Sequence, residues 1–452
     1  MRSVSRRAAA AAASFFLVCA AQVTAQHMPG MDHAGHGDQP GQHEMYMRDL
    51  GGGWRLLGMA QLFPMVSTGF GSGANDAVTG TEFYLNQPVI MFNVESPGSR
   101  VTLRTTLNFE GITQADGELT FGGWGEGFID KRHPHTLLHE AVLSANFGNV
   151  AGGAASISAG KGFAPYGTDD PMSRPVAKFP TNHHLSQILE RFLVSAAWLR
   201  DGFSLEAGVF GGNEPTGPYD FSNIESFGNS FSGRVAYRFG GDDVRPWEAS
   251  ASFGHVVEEH HGTDYTTRLV NAALRHEASY GFGGLYGLLE ASRSMPAADD
   301  DDGYWSVLGE AQLHRGGHRP YARVEVATRP EYAREGAVGT DGFFRYDHDS
   351  HAIGATRWFI GTVGYGYDAT RLPYSVRPFV EVQYNNVVNE RGGIAAQELF
   401  GTNNFFGLTA GFRLFVGGGP MRMGAYGVLD AMTAHGGMTD HGAGHDMHDG
   451  HH

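Results

Sequence analysis

Cysteine is almost missing, with one residue, Cys19, in a chain of 452. It falls inside Met1–Ala25, where Arg2, Arg6 and Arg7 precede an apolar stretch from Ala8 to Ala21 and Val23-Thr24-Ala25 offers a small-residue cut site. That is the pattern of a secretory signal peptide, so the mature chain is expected to hold no cysteine. Disulfide frameworks, thiolate metal sites and cysteine nucleophiles are thereby excluded. Long apolar runs are missing as well, and none approaches the roughly 18 residues of a membrane helix. Basic charge is scarce: 32 Lys and Arg stand against 48 Asp and Glu, and losing the three leader arginines takes the net charge from −16 to −19. Nucleic acid is not an expected partner of such a chain. No zinc-protease helix, phosphate loop or nucleotide motif is present. The glycine strings at Gly122-Gly123-Trp124-Gly125 and Gly417–Gly419 have no strand–helix context and read as turns.

Glycine and aromatics are plentiful instead: 66 glycines, and aromatic residues at 12%. The glycine share is about twice that of an ordinary soluble domain. Between the termini the chain alternates with period two. Val101, Leu103, Thr105, Leu107 and Phe109 oppose Thr102, Arg104, Thr106, Asn108 and Glu110. Phe231, Gly233, Val235, Tyr237 and Phe239 oppose Ser230, Ser232, Arg234, Ala236 and Arg238. Ala322, Val324 and Val326 oppose Tyr321, Arg323 and Glu325, and Phe406 to Val416 repeats the theme against Thr409 and Arg413. An apolar face over about ten residues with charge on the other marks a strand between lipid and a wet lumen. Aromatics near strand ends (Trp54, Phe63, Trp198, Trp247, Trp305, Trp358, Phe359) suit the interfacial belts of such a barrel.

The expected fold is therefore all-β, a transmembrane antiparallel up-and-down β-barrel over residues 48–431, placed in the outer membrane of a Gram-negative bacterium. Candidate strands run from 54–63 to 404–416, with a last candidate at 421–429. Bacterial barrels usually have an even strand number, which gives about 16, with 14 and 18 allowed. Arg104, Glu110, Arg234, Arg238, Arg323 and Glu325 are the expected pore-lining residues, and Leu103, Leu107, Val235 and Phe412 the lipid-facing ones. Short links such as Arg200-Asp201-Gly202 and Gly240–Asp243 read as periplasmic turns, and Met295–Gly303 and Arg329–Ser350 as external loops. Residues 163–190 are too long and Pro-rich for a hairpin; such a loop either folds inward and narrows the pore or packs on the rim.

Both ends of the mature chain are tails of His, Met, Asp and Gly, at residues 26–47 and 432–452. Such Gly-rich polar tracts cannot bury enough apolar surface to fold. The first carries His27, Met28, Met31, His33, His36 and His43; the second carries His435, His441, His445, His448, His451 and His452. Imidazole, thioether and carboxylate together ligate late first-row transition metals, copper foremost. Weak binding at several sites is expected, with no tightly bound cofactor. His133, His135, His183 and His184 form a further candidate site in and before the long loop. The expected partners are outer-membrane lipid, metal ions and small solutes; the sequence sets no oligomeric state.

Two functions fit. One is a porin-like channel with metal-binding tails, serving metal homeostasis or resistance. The other is a metal-binding surface protein anchored by its barrel. An outer-membrane lipid hydrolase would need a serine and a histidine aimed at lipid, and only His139 and Ser144 lie near each other. The chain is read as not an enzyme. A plug-gated transporter would need over a hundred residues ahead of the first strand, where only about 28 follow the cut site.

Two resemblances add to this. Arg132-His133-Pro134-His135, the paired His183-His184 and Leu205–Pro215 resemble a group of largely uncharacterised bacterial outer-membrane proteins, often encoded near heavy-metal resistance systems, over roughly residues 128–240. The loop departs from that group's commoner wording. The Met31-Asp32-His33 string, with Met28 before it, resembles the leading tail of the copper resistance protein B family. These resemblances imply an outer-membrane barrel and a link to metal.

Overall fold

The computed structural model describes residues 46–110, 136–168, 173–181, 183–215, 218–241, 245–260, 262–297, 303–332, 334–335, 345–346, 352–369, 374–392, 396–417 and 423–430. The leader, the His and Met residues of both tails apart from Met47, and His133 and His135 lie outside the described residues.

Sixteen antiparallel strands close into one barrel. They are β1 (Trp54–Phe70), β2 (Thr81–Glu95), β3 (Val101–Asn108), β4 (Leu138–Val150), β5 (Gly153–Gly162), β6 (Arg191–Arg200), β7 (Phe203–Gly211) and β8 (Phe227–Phe239). The circuit continues through β9 (Trp247–His260), β10 (Thr263–Tyr280), β11 (Gly283–Pro296), β12 (Tyr304–His314), β13 (His318–Tyr332), β14 (Ala352–Tyr367), β15 (Tyr374–Gly392) and β16 (Asn404–Val416). Each strand pairs with its sequence neighbour, and β16 returns to β1, from Phe406 opposite Phe70 to Val416 opposite Ala60. Closure leaves no unpaired edge, the condition for crossing lipid with strands. A short strand, Tyr46–Gly51, pairs with the start of β1 and continues the line of β16 below Val416. Tyr46 and Met47, expected in the tail, thus belong to the wall.

The alternation sets the two faces. Leu143, Ile157, Leu205, Leu289, Val307, Val324, Val363 and Val382 are exposed on the outside, an aliphatic band. Exposed aromatics flank it: Trp54, Phe203, Tyr237, Trp247, Tyr280, Phe282, Tyr365 and Tyr367 toward one rim, and Phe70, Phe83, Phe227 and Phe406 toward the other. An apolar band between two aromatic girdles is the outer surface of a bacterial outer-membrane barrel, and that is where the chain resides. Phe63 and Trp358 depart from the expected belt: both are fully buried and point inward. Phe63 shares the inward parity of Leu57, Met59, Gln61 and Met65 on its own strand, and Trp358 has inward parity and packs edge-on against Phe400 and Phe405.

Turns on one rim are short. Asp201 (φ 49°) and Gly202 (φ 80°) both take left-handed backbone, the hairpin form that matches strand twist, so glycine suits the second position. Connections on the other rim are longer, except for the two residues between β9 and β10. Short turns face the periplasm in such barrels and long loops the exterior. The stretch Arg329–Ser350 begins later than expected, because β13 runs on to Tyr332. Segment 421–429 is not a strand: residues 423–430 turn back into the lumen and include a single 3₁₀ turn, Gly427–Leu429.

Candidate functional site

The lumen is crossed by the segment 163–190, of which residues 163–168, 173–181 and 183–190 are described. They leave β5, traverse to the far wall and return to β6. On the far wall Thr168 Oγ1 donates to Glu290 Oε1 at 2.7 Å and Arg174 Nη2 to Glu290 Oε2 at 3.0 Å. Thr181 N donates to Glu325 Oε2 at 2.7 Å, and Ala177 N to Glu381 Oε1 at 2.7 Å. Wall donors bind loop carbonyls in turn: Arg323 Nη1 to Lys178 O at 3.0 Å, Arg413 Nη2 to Arg174 O at 2.8 Å and Asn86 Nδ2 to Ala177 O at 2.9 Å. A buried loop must satisfy its backbone polar groups, and here the inward wall residues do so. The outcome left open by the sequence is thus the inward one.

The return leg ends at Glu190. Its Oε1 meets His139 Nδ1 at 2.5 Å, and its Oε2 accepts from Thr136 N and Thr136 Oγ1 and lies 3.3 Å from Lys161 Nζ. His139 reaches this site because the β3–β4 register slips between Thr106 and Leu107, so His139 and Glu140 both turn inward. Ser144, on the inner face of β4, bonds Ser158. His139 and Ser144 therefore both face away from lipid.

From the short-turn side, residues 423–430 fill the space beside β2–β5. Asp430 accepts from Arg104 Nη1 and Asn93 Nδ2, each at 2.9 Å. Tyr426 Oη donates to Glu140 Oε1 and accepts from Phe163 N, each at 2.8 Å. Burial and the Glu140 carboxylate push the Tyr426 hydroxyl well above its ordinary range, which keeps it a donor. Glycine is required where this segment meets the wall: a Cβ on Gly162 would sit on Tyr426 Oη, and one on Gly427 on Ser156 Oγ. Apolar side chains finish the fit, with Met423, Phe163 and Leu189 packed on Leu57, Met59, Val89 and Met91. The lumen thus contains a protein core.

Of the expected pore-lining residues, Arg104, Glu110, Arg234, Arg323 and Glu325 lie inside and are engaged. Arg104 joins Asp430 and, at 3.3 Å, Glu140. Glu110 accepts from Gln87 N at 2.6 Å. Arg234 forks onto Glu206 at 2.7 and 2.9 Å, and Arg323 pairs with Glu310 at 2.8 Å. Four of them, Arg104, Arg234, Arg323 and Glu325, also bond the inserted segments. Arg238 sits at the short-turn rim, 57% exposed, beside Glu248. His183 is buried against Phe179 in the turn His183–Ser186, which also contains His184. Among the described residues no three His, Asp or Glu side chains converge to hold a metal ion.

Sequence reasoning missed Arg174, Lys178 and Glu190 in the loop, and Tyr426 and Asp430 in the C-terminal segment. Parity marks Glu290, Glu310, Glu381 and Arg377 as inward once the strands are aligned. The partners that the loop brings to them leave no periodic signal. Burial pulls the Lys178 amine down to about 8, against the opposing attraction of Glu381.

No family model and no curated protein matches the chain, so the resemblance over 128–240 rests on its residues alone. Solved structures align over most of its length. The anion-selective porin of Comamonas acidovorans is 14% identical with a TM-score of 0.46, covering 80% of this chain and 99% of that one. The outer-membrane channel DcaP of Acinetobacter baumannii is 9% identical with a TM-score of 0.48, at 82% and 99% coverage. Salmonella typhi OmpF in complex with daunomycin is 12% identical with a TM-score of 0.44, at 80% and 98% coverage. The likeness is one of porin-like barrel architecture.

Proposed function

We propose that the barrel is a channel for small solutes, narrowed by loop 163–190 and by residues 423–430, with tails that bind a late first-row transition metal, copper first. The channel reading is carried by one observation: a charged lumen in which an inserted loop is hydrogen-bonded to the far wall. An inert anchor gains nothing from burying so many ionised groups, because desolvating them is expensive. The tails adjoin Tyr46 and Asp430. Tyr46 pairs near the base of β1, and Asp430 bonds residues two to four positions from the short turn between β2 and β3. In this reading the tails capture metal on the periplasmic side, in the service of metal homeostasis or resistance; the supporting fact is that the described residues next to them lie near the short-turn rim. No catalytic step is part of this reading.

A second reading, in which the barrel only anchors a metal-binding protein, is favoured by the burial of residues 163–168 and 174–181. Planar-bilayer recordings separate the two. Chain 26–452 should give discrete current steps that micromolar copper reduces. Removing 26–45 and 433–452 should abolish the copper response at unchanged step size, and removing 423–452 should enlarge the steps. A silent bilayer for all three forms would leave the anchor.

A further inference from the structure

We infer that the short-turn mouth of the lumen holds a binding site for an oxyanion, phosphate or sulfate, built by Arg319, Arg377 and Arg413. The site deepens the channel reading and rests on the lumen being reachable from that side.

The register places Arg377 on β15 directly opposite Arg413 on β16, both with inward parity. Like charges directly opposed across a strand pair are destabilising. Arg319, at the start of β13, adds a third guanidinium within electrostatic reach of Arg377. One carboxylate serves two of them: Asp368 Oδ1 lies 2.5 Å from Arg377 Nε, and Asp368 Oδ2 contacts Arg319 Nε. Among the described residues no carboxylate lies within ion-pair distance of Arg413. Arg413 bonds the carbonyls of Arg174 and Val176 at 2.8 and 3.3 Å, lies over the Phe63 ring at 4.7 Å, and leaves its buried Nε without a hydrogen bond.

Further charged groups face the three guanidiniums, among them Arg323 near Arg413, itself paired with Glu310. From the loop, Lys178 adds a cation, bonded to Gln383 at 3.0 Å. From β15, Glu381 adds an anion held by Tyr321 Oη at 2.9 Å and Ala177 N at 2.7 Å. From the end of β12, His314 Nε2 stands 4.0 Å from Asp368 Oδ2 and makes no hydrogen bond. Among the described residues, Asp368 is the one carboxylate within ion-pair distance of these three guanidiniums.

Access is graded. The Arg319 side chain is 16% exposed and that of Arg377 8%, whereas Arg413 is 2% exposed behind them. With each Nε committed to Asp368, the Nη groups are left for a second acceptor, apart from a 3.4 Å contact from Arg319 Nη1 to Gln312. Guanidinium forks match the paired oxygens of a tetrahedral or planar oxyanion, a geometry that chloride lacks.

Calorimetric titration of full-length folded protein in detergent, at low ionic strength and neutral pH, tests this with inorganic phosphate, sulfate and chloride. Phosphate and sulfate should bind with one-to-one stoichiometry and chloride should not compete. Arg377→Gln should weaken phosphate by about tenfold or more, the loss expected for charge-assisted hydrogen bonds. Arg200→Gln, at an exposed turn on the same rim, should bind as the parent does. Arg319→Lys keeps the charge but not the fork, so it should also weaken binding and serves where Arg377→Gln loses heat-modifiable folding. No phosphate heat from the parent, or parent-like affinity in the folded Arg variants, overturns the site and leaves a clamp between strands. The titration needs no current: a conducting barrel without phosphate binding refutes this inference alone, and a phosphate-binding barrel without current refutes the channel alone.

Discussion

Replacing Asp430 by alanine tests whether residues 423–430 are a docked part of the lumen. The carboxylate accepts from Arg104 and Asn93 at 2.9 Å each, and all three residues are buried. Removing one partner of a buried pair costs about 3–5 kcal/mol. Glu140 stays 3.3 Å from Arg104 Nε and keeps part of that charge compensated, so about 2 kcal/mol is expected against docking. That is about thirtyfold in the ratio of docked to undocked segment. Chain 26–452 has no cysteine, so Val428→Cys gives a single reporter at a buried position whose N–H bonds Ser156 Oγ. Maleimide should label it slowly in the parent and about thirtyfold faster with Asp430→Ala, if undocking equilibrates faster than labelling. Equal rates in the two backgrounds, or rapid labelling of the parent, would refute the docked segment.

Three further outcomes follow from particular residues. Lys178, with its folded pKa pulled down to about 8 from an ordinary 10.5, sheds its proton in the folded barrel before the unfolded chain does. Stability should therefore rise with pH between those values, while the lumen loses one positive charge; anion preference in bilayers should fall across the same window, and Lys178→Met should abolish the step. Leu143→Arg, at an outward position 54% exposed in mid-strand, should cost about 2–4 kcal/mol of assembly, whereas Arg238→Leu at the rim should be nearly neutral on a heat-modifiability gel. The two tail peptides should take up copper weakly, above zinc in preference, and lose it below about pH 6 as imidazoles protonate; calorimetry without copper heat would leave them as spacers.

The wall was legible because its code is short. Period two needs only a few residues to declare a face, and Phe231, Val235, Arg234 and Ser232 fell where their parity put them. Local departures were not legible. A one-residue register slip turned His139 inward, and no composition signal marks it. Segment 421–429 has the glycine and aromatic content of the neighbouring strands, so it passed for one.

The larger gap concerns the interior. Parity says that Arg104 faces inward but not what it meets there. Read as a wet wall, it makes Arg104→Leu a mild change beside Leu107→Arg. With Asp430 and Glu140 both on its guanidinium, the same substitution strands two buried carboxylates and should damage the protein as much as a charge in lipid does. Leu57, Met59, Val89 and Met91 held the clue, being apolar side chains at inward positions of β1 and β2. A water-filled lumen has no use for such a patch. Wherever inward parity and apolar character coincide on adjacent strands, the interior has to supply a cover, and the chain outside the strands has to contain it.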